Sequence, residues 1–158
     1  IRVFFNPELD PAGSSYNVLQ SKLAIGSGQL WGKGLFKGTQ TQLNFIPAKT
    51  HDFIFSVIGE EMGFVVSAAV VLAFVGLIIR CLYVAATSKD LFGTLIVTGV
   101  AAMVGFHFFV NIGMTMGLVP VAGIPLPFIS QGGSSMLANL AAVGLVESVA
   151  IRRQKVKF

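Results

Sequence analysis

The chain has 158 residues, of which 54% are hydrophobic and only 11% are charged, and its formal net charge is +4. Soluble domains carry about 25% charged residues, so this composition excludes an ordinary soluble domain and indicates a membrane protein. The basic residues form no stripe interleaved with aromatic residues, which argues against nucleic-acid binding and favours anionic lipid head groups as the counter-charge. The single cysteine, Cys81, excludes an internal disulfide bond.

The N-terminal part of the chain is mixed in polarity and predicts a large loop. Residues 1–5 are predicted to end a preceding span, and residues 6–13 form a turn cluster with two prolines. Residues 14–25 predict a short amphipathic helix at the membrane interface, ended by Gly26 and Gly28. Because the chain begins without methionine, we expect a fragment or a processed piece of a longer protein.

Three apolar stretches are each long enough to cross a hydrocarbon core of about 30 Å. They cover residues 62–80, 93–118 and 134–151. The helix that leads into the first stretch is expected to begin near Phe53, with Thr50 or Asp52 as its N-cap. The sequence therefore predicts three transmembrane helices.

The segment Val119–Phe128 contains three prolines, which exclude a continuous helix between the second and third spans. The predicted fold class is an all-α integral membrane protein, with three transmembrane helices plus a large extracytoplasmic loop that contains short amphipathic helices. Residues 1–61 would form the end of a preceding span and this loop. Residues 62–158 would form the three spans and a basic tail.

The distribution of basic residues predicts the orientation of the spans. The tail after Ile151 carries four basic residues, the turn between the first two spans carries Lys89, and the proline-rich segment carries none. Short loops rich in Lys and Arg stay on the cytoplasmic side. We therefore expect the C-terminus in the cytoplasm and residues 6–58 outside it.

Asp52 is the main candidate for chemistry, because it lies between a polar loop and an apolar span, beside Lys49 and His51. A carboxylate in this position can act as a general base or as a ligand directed at phosphate or metal. The alternative is a plain N-cap carboxylate that the helix dipole favours. The residues alone leave both interpretations open.

Glu60 and Glu61 are predicted not to form a glycosidase pair with Asp52. Eight residues of helix separate Asp52 from Glu60, which is about 12 Å, whereas glycosidase carboxylates lie roughly 5–9.5 Å apart. We expect the two glutamates to pair with nearby Lys or Arg residues instead, or to mark the outer end of the first span.

Polar residues within the spans give two further predictions. His107 and Asn111 share a helix face, and they serve either interhelical hydrogen bonds or a proton relay or substrate contact. Arg80 and Glu147 lie near the cytoplasmic ends of their spans, where an ion pair is the simplest hypothesis.

The run from Ser130 to Ser135 precedes the third span. Its backbone amides and hydroxyl groups at a helix N-terminus can bind phosphate. The run lacks the lysine of a P-loop, which argues against nucleotide hydrolysis.

Four segments resemble the SEDS family, the shape, elongation, division and sporulation proteins. The longest is Asn111–Ser135, NIGMTMGLVPVAGIPLPFISQGGSS. The others are Gln20–Gly28, Gly38–Leu43 and Asp52–Glu61. The run GTQTQL is closer to the elongation branch, RodA, than to the division branch, FtsW. The resemblance covers essentially the whole chain.

The resemblance implies the C-terminal part of a bundle of roughly ten spans in the cytoplasmic membrane of a bacterium. It implies a peptidoglycan glycosyltransferase that polymerises lipid II during cell elongation, and a class B penicillin-binding protein as a partner bound through transmembrane helices. The family's essential acid would correspond to Asp52, although Thr50 and His51 stand here in the reverse of the family's order. Because earlier spans would complete the substrate cavity, we expect this part of the protein to be inactive alone.

In that activity, Asp52 would deprotonate an acceptor sugar hydroxyl. The predicted substrate-binding residues have polar or basic side chains and lie in the large loop or before the third span. They are Lys33, Gln40, Gln42, Lys49, His51, Ser130 and Ser134. Mg²⁺ or Mn²⁺ is the candidate cofactor, and the metal requirement stays open. The alternatives are a flippase that moves lipid II and a non-catalytic membrane scaffold for the penicillin-binding protein.

Overall fold

The computed structural model describes residues 14–39 and 52–153, and the described residues form four helices with no β-strand. The helices are α1 (Ser14–Ser27), α2 (Ile54–Ala86), α3 (Leu91–Thr115) and α4 (Gly133–Arg153). The last three are long and apolar enough to cross a membrane. The prediction of an all-α membrane protein with three spans is confirmed.

Helix α2 begins at Ile54, close to the predicted start near Phe53, and it continues beyond the predicted end of the first span at residue 80. Its N-cap is Phe53, so the prediction that Asp52 caps this helix is wrong, because Asp52 lies one residue too early. Arg80 does not end the helix, which continues to Ala86. The additional stretch of about one and a half turns packs against the core, where Cys81 is buried. The guanidinium of Arg80 lies 5.5 Å from the centre of the Tyr83 ring.

Gly63 interrupts the backbone of α2 near its start. Its φ of 76° and ψ of −172° fall in a region that essentially only glycine adopts. In an unbroken helix, the amides of Phe64 and Val65 would bond to the carbonyls of Glu60 and Glu61. The kink frees these four groups, and the segment from Gly63 to Ala86 is still long enough to cross about 30 Å.

The loop of residues 28–34 bonds to all four freed groups. The bonds are Phe64 N–H to Gln29 O (2.8 Å), Val65 N–H to Leu30 O (3.2 Å), Lys33 N–H to Glu60 O (3.0 Å) and Gly34 N–H to Glu61 O (3.0 Å). Glycine permits this close approach, because a Cβ at Gly28 would lie only 1.8 Å from the Gly59 carbonyl oxygen. The loop therefore replaces one turn of helical bonding with contacts between distant residues.

Helix α3 ends at Thr115, earlier than the predicted 118. Gly117 adopts a φ of 68°, its amide bonds to Met114 O at 3.1 Å, and the Leu118 amide bonds to Gly113 O at 2.7 Å. This pair of bonds around a left-handed glycine is a Schellman motif, which stops the helix.

The segment after α3 is non-helical, as its prolines predicted, and it folds back into the bundle. Leu126 is buried against Phe74 of α2 and Val104 of α3, and the Phe74 ring stacks on Phe108 with centres 5.0 Å apart. Non-helical backbone at membrane depth requires internal partners. Ser130 supplies them, since its amide bonds to Leu126 O and its Oγ accepts the Leu126 amide.

The other end of the bundle contains a second apolar core. Six buried residues from α2, α3 and α4 form it: Cys81, Val84, Ala85, Val97, Ala101 and Val146. The predicted ion pair between Arg80 and Glu147 is absent among the described residues, because Arg80 packs on Tyr83 and Glu147 remains exposed on α4.

Candidate functional site

Asp52 lies where the start of α2 meets the proline-rich segment. Its side chain is half-buried, and a Cβ added to Gly123 would lie 3.7 Å from Asp52 Oδ2. Within the described part of the chain, no hydrogen bond or ion pair reaches the Asp52 carboxylate. A partly exposed carboxylate without such a partner can accept a proton from a bound molecule.

Asn111 fixes the backbone on both sides of this carboxylate. The Asn111 side chain is fully buried, and its Nδ2 donates to the Asp52 carbonyl oxygen at 2.9 Å and to the Ile124 carbonyl oxygen at 2.8 Å. One amide group thus joins α3, the start of α2 and the proline-rich segment. Asn111 therefore bonds from α3 to two non-helical carbonyls and not to a second helix, as the interhelical interpretation expected. His107 instead places Nδ1 2.7 Å from Met103 O in its own helix.

A buried polar contact holds α1 beneath the same site. The hydroxyls of Ser21 and Ser56 are hydrogen-bonded to each other, and the Ser21 hydroxyl donates to the Thr115 carbonyl oxygen at 2.8 Å. Ala24 of α1 packs on Phe53, the residue after Asp52. Contacts from α1 and α3 therefore converge on the first turn of α2.

Glu60 forms the ion pair that the sequence predicted for the glutamates. Its fully buried carboxylate lies 3.0 Å from Lys33 Nζ, which also donates to Thr39 Oγ1 at 2.9 Å. Lys33 therefore already has protein partners, and its role in substrate binding stays a prediction. Glu61 is buried with no ion pair among the described residues.

The other predicted substrate-binding residues fall in two groups. Ser130 is buried within the fold of the proline-rich segment, whereas Ser134 is exposed in the first turn of α4. The remaining four lie outside the described residues: Gln40, Gln42, Lys49 and His51.

Comparisons with known proteins decide the family. The family model for FtsW, RodA and SpoVE, described as cell cycle proteins, matches residues 1–155. The chain belongs to this family. Its similarity to the SEDS proteins is thereby confirmed, and the three spans identify a multi-pass member.

Individual members of the FtsW/RodA/SpoVE family resemble the chain over nearly its whole length. The peptidoglycan glycosyltransferase MrdB of Escherichia coli K12 is 42% identical over 98% of this chain and 42% of MrdB. A probable peptidoglycan glycosyltransferase FtsW of Geobacter sp. strain M18 is 40% identical over 96% of this chain and 41% of that protein.

A solved structure shares the fold. A chain from a peptidoglycan synthase complex, studied for how it coordinates polymerization and crosslinking, superposes with a TM-score of 0.77 at 31% identity, over 97% of this chain and 41% of that chain. The present chain thus spans about two fifths of the length of these relatives.

Mg²⁺ or Mn²⁺ as a cofactor stays a prediction. The described residues contain no group of three His, Cys, Asp or Glu side chains that could hold a metal ion, and Glu60 is already paired with Lys33. Asp52 is the one carboxylate at the site within this part of the chain.

The sequence indicated Asp52 and Asn111 separately. It did not predict that the Asn111 side chain bonds to the main chain of Asp52. The proline-rich segment was predicted only as a break between spans, and nothing in its composition indicated that Gly123 would lie beside Asp52. The turn residues that carry the segment back towards α2 were the only available signal.

Proposed function

We propose that the full-length protein is a peptidoglycan glycosyltransferase that polymerises lipid II, with Asp52 as the general base. The observation that carries the proposal is the Asp52 carboxylate, which is partly exposed and has no partner among the described residues, although its main chain is held by Asn111. The MrdB and FtsW relatives, named as peptidoglycan glycosyltransferases, support the same reaction class.

In this mechanism, Asp52 removes the proton from an acceptor sugar hydroxyl as the oxygen bonds to the donor's anomeric carbon. The bond from that carbon to the pyrophosphate oxygen breaks, and the lipid pyrophosphate departs with the electron pair. Lys49 and His51 are proposed to meet the developing negative charge. Because the main chain at Asp52 is already fixed, little conformational freedom of this residue is lost when its carboxylate is aligned with the two sugars.

The proposed orientation places Asp52 at the outer face of the bacterial cytoplasmic membrane and the C-terminal tail in the cytoplasm. We expect a membrane-impermeant maleimide to label Trp31→Cys from outside the cell and Lys89→Cys only after permeabilisation, both in a Cys81→Ala background. Trp31 and Lys89 are exposed in the fold, so accessibility would report the side of the membrane. The reverse labelling pattern would overturn the orientation.

We also propose a class B penicillin-binding protein as the partner, bound through transmembrane helices, and cell elongation as the process. The similarity to a chain from a peptidoglycan synthase complex supports a partner of this kind. The elongation role rests on the GTQTQL run alone, since the FtsW relative is nearly as similar as MrdB.

Polymerisation by purified full-length protein in detergent tests the proposed activity. With lipid II as the only substrate, the proposal predicts glycan strands of many disaccharides. A flippase would make no polymer in detergent but would move lipid II across vesicles. A scaffold would do neither and would still co-purify with its penicillin-binding protein.

A further inference from the structure

A cavity lies at the end of the bundle opposite Asp52. Its volume is about 350 Å³, and it lies between the α2–α3 turn, the first turns of α3 and the last turns of α4. The whole of α2 separates it from Asp52, so it belongs to the other membrane face. Gly93 brings α3 against α4 here, because a Cβ on it would lie 3.1 Å from Val149 Cγ1.

The lining combines two kinds of surface. Lys89 and Arg152 bring positive charge to the cavity, and Ser88 and Ser148 bring hydroxyl groups. The rest of the wall is mainly apolar, from Phe92, Ile96, Leu145 and Val149. Asp90 also lines the cavity, so the formal charge of the lining is one positive unit.

We propose that this cavity binds a phosphate-bearing anion, with the phosphate between Lys89 and Arg152. Both cations can hold phosphate oxygens, and Arg can do so with two parallel hydrogen bonds. The apolar wall suits the glycerol and acyl carbons of a membrane phospholipid, whereas a free phosphate ester would use the charged part alone. This site is independent of the glycosyl transfer proposed for Asp52.

The position in the bundle supports a phospholipid of the nearer leaflet. The cavity lies at the end of three spans, where head groups lie, and the basic tail continues directly from α4. A basic side chain next to an anionic lipid head group strengthens its binding about fivefold. A general attraction to the membrane surface requires no cavity, so the enclosed volume favours one bound lipid at a defined position.

Native mass spectrometry of full-length protein in detergent, titrated with phosphatidylglycerol, tests the proposal. We expect Lys89→Gln and Arg152→Gln each to weaken binding about fivefold and together about 30-fold. Asp90→Asn should strengthen binding about fivefold, because it removes a like charge. That change leaves the start of α3 intact, since the Asp90 side chain makes no capping hydrogen bond.

Two further variants separate a cavity from a charged surface. Arg80→Gln removes an exposed cation that does not line the cavity, so it should change binding less than twofold. Ser148→Phe fills the cavity without a change of charge and should abolish binding while the melting temperature is kept. Equal effects of Arg80→Gln and Lys89→Gln, or full binding by the folded Ser148→Phe variant, would overturn the proposal.

Competition identifies the source of the phosphate. Displacement of phosphatidylglycerol by a short-chain phosphatidylglycerol, but not by millimolar inorganic phosphate, assigns the cavity to a phospholipid. Displacement by inorganic phosphate assigns it to a free phosphate ester. If neither displaces the lipid, the cavity does not recognise phosphate and the proposal is wrong.

Discussion

Asn111 is the residue on which the geometry around Asp52 depends most. Its buried amide is the only donor that the described residues give to both Asp52 O and Ile124 O through a side chain. A carbonyl left buried without a donor costs about 1–3 kcal/mol, so each bond matters to the fold as well as to the site.

We predict that Asn111→Ala destabilises the full-length protein by about 2–4 kcal/mol and lowers the polymerisation rate of the folded fraction about 100-fold. The rate falls because Asp52 is no longer held against the proline-rich segment. Thermal unfolding and lipid II polymerisation, measured on the same preparation, check both numbers. Asn139→Ala on α4 is the matched control, and equal effects of the two changes would refute a positioning role.

Lys33 gives a second prediction at this scale. Because Glu60 is fully buried, loss of Lys33 removes the charged partner that lies 3.0 Å from a buried carboxylate, and we expect Lys33→Ala to destabilise the protein by about 3 kcal/mol. Lys37→Ala, three residues after this loop and exposed, should change stability by less than about 0.5 kcal/mol. A rise in KM with unchanged stability would instead support the predicted contact between Lys33 and substrate.

At the scale of elements, the junction between the loop of residues 28–34 and the kink in α2 holds the first turn of α2 in place. The spacing of Gly59 and Gly63 in the sequence predicts only a close approach between helices. It could not predict the kink, because glycine is also common inside regular transmembrane helices. The four main-chain bonds that make the kink stable come from residues about thirty positions earlier.

Gly63→Ala should therefore disrupt this junction. An added Cβ would lie 2.3 Å from the Gly32 amide nitrogen, and the backbone conformation itself excludes alanine. We expect a loss of at least about 3 kcal/mol in the free energy of unfolding, measured by thermal denaturation in detergent. Gly76→Ala is the control, since its Cβ would meet nothing within 4 Å, and it should be neutral or stabilise slightly.

At the scale of the whole molecule, the spans were predictable and the contacts between them were not. Hydropathy located three helices to within a few residues at most ends, because each must satisfy its backbone inside the membrane. Periodicity put Asn111 and His107 on one face but could not tell that, within residues 14–39 and 52–153, Asn111 alone of the two bonds outside α3. The predicted ion pair between Arg80 and Glu147 was wrong, because the charge pattern alone does not predict which faces of α2 and α4 meet.

The chain spans about two fifths of the length of its relatives, and we expect the reaction proposed here to require the complete bundle. Exposed apolar side chains on the outer faces of α2 and α3, such as Leu72 and Phe106, are available to lipid or to further spans. Every functional experiment should therefore use the full-length protein.

Polymerisation of lipid II by full-length Asp52→Asn protein in detergent tests the central claim most directly. Asparagine keeps the size of the side chain but cannot accept the proton, so we predict no glycan strands while the protein folds and still binds lipid II. Glu147→Gln removes an exposed carboxylate elsewhere and should leave the rate unchanged. Strand synthesis at the wild-type rate by Asp52→Asn would contradict the account.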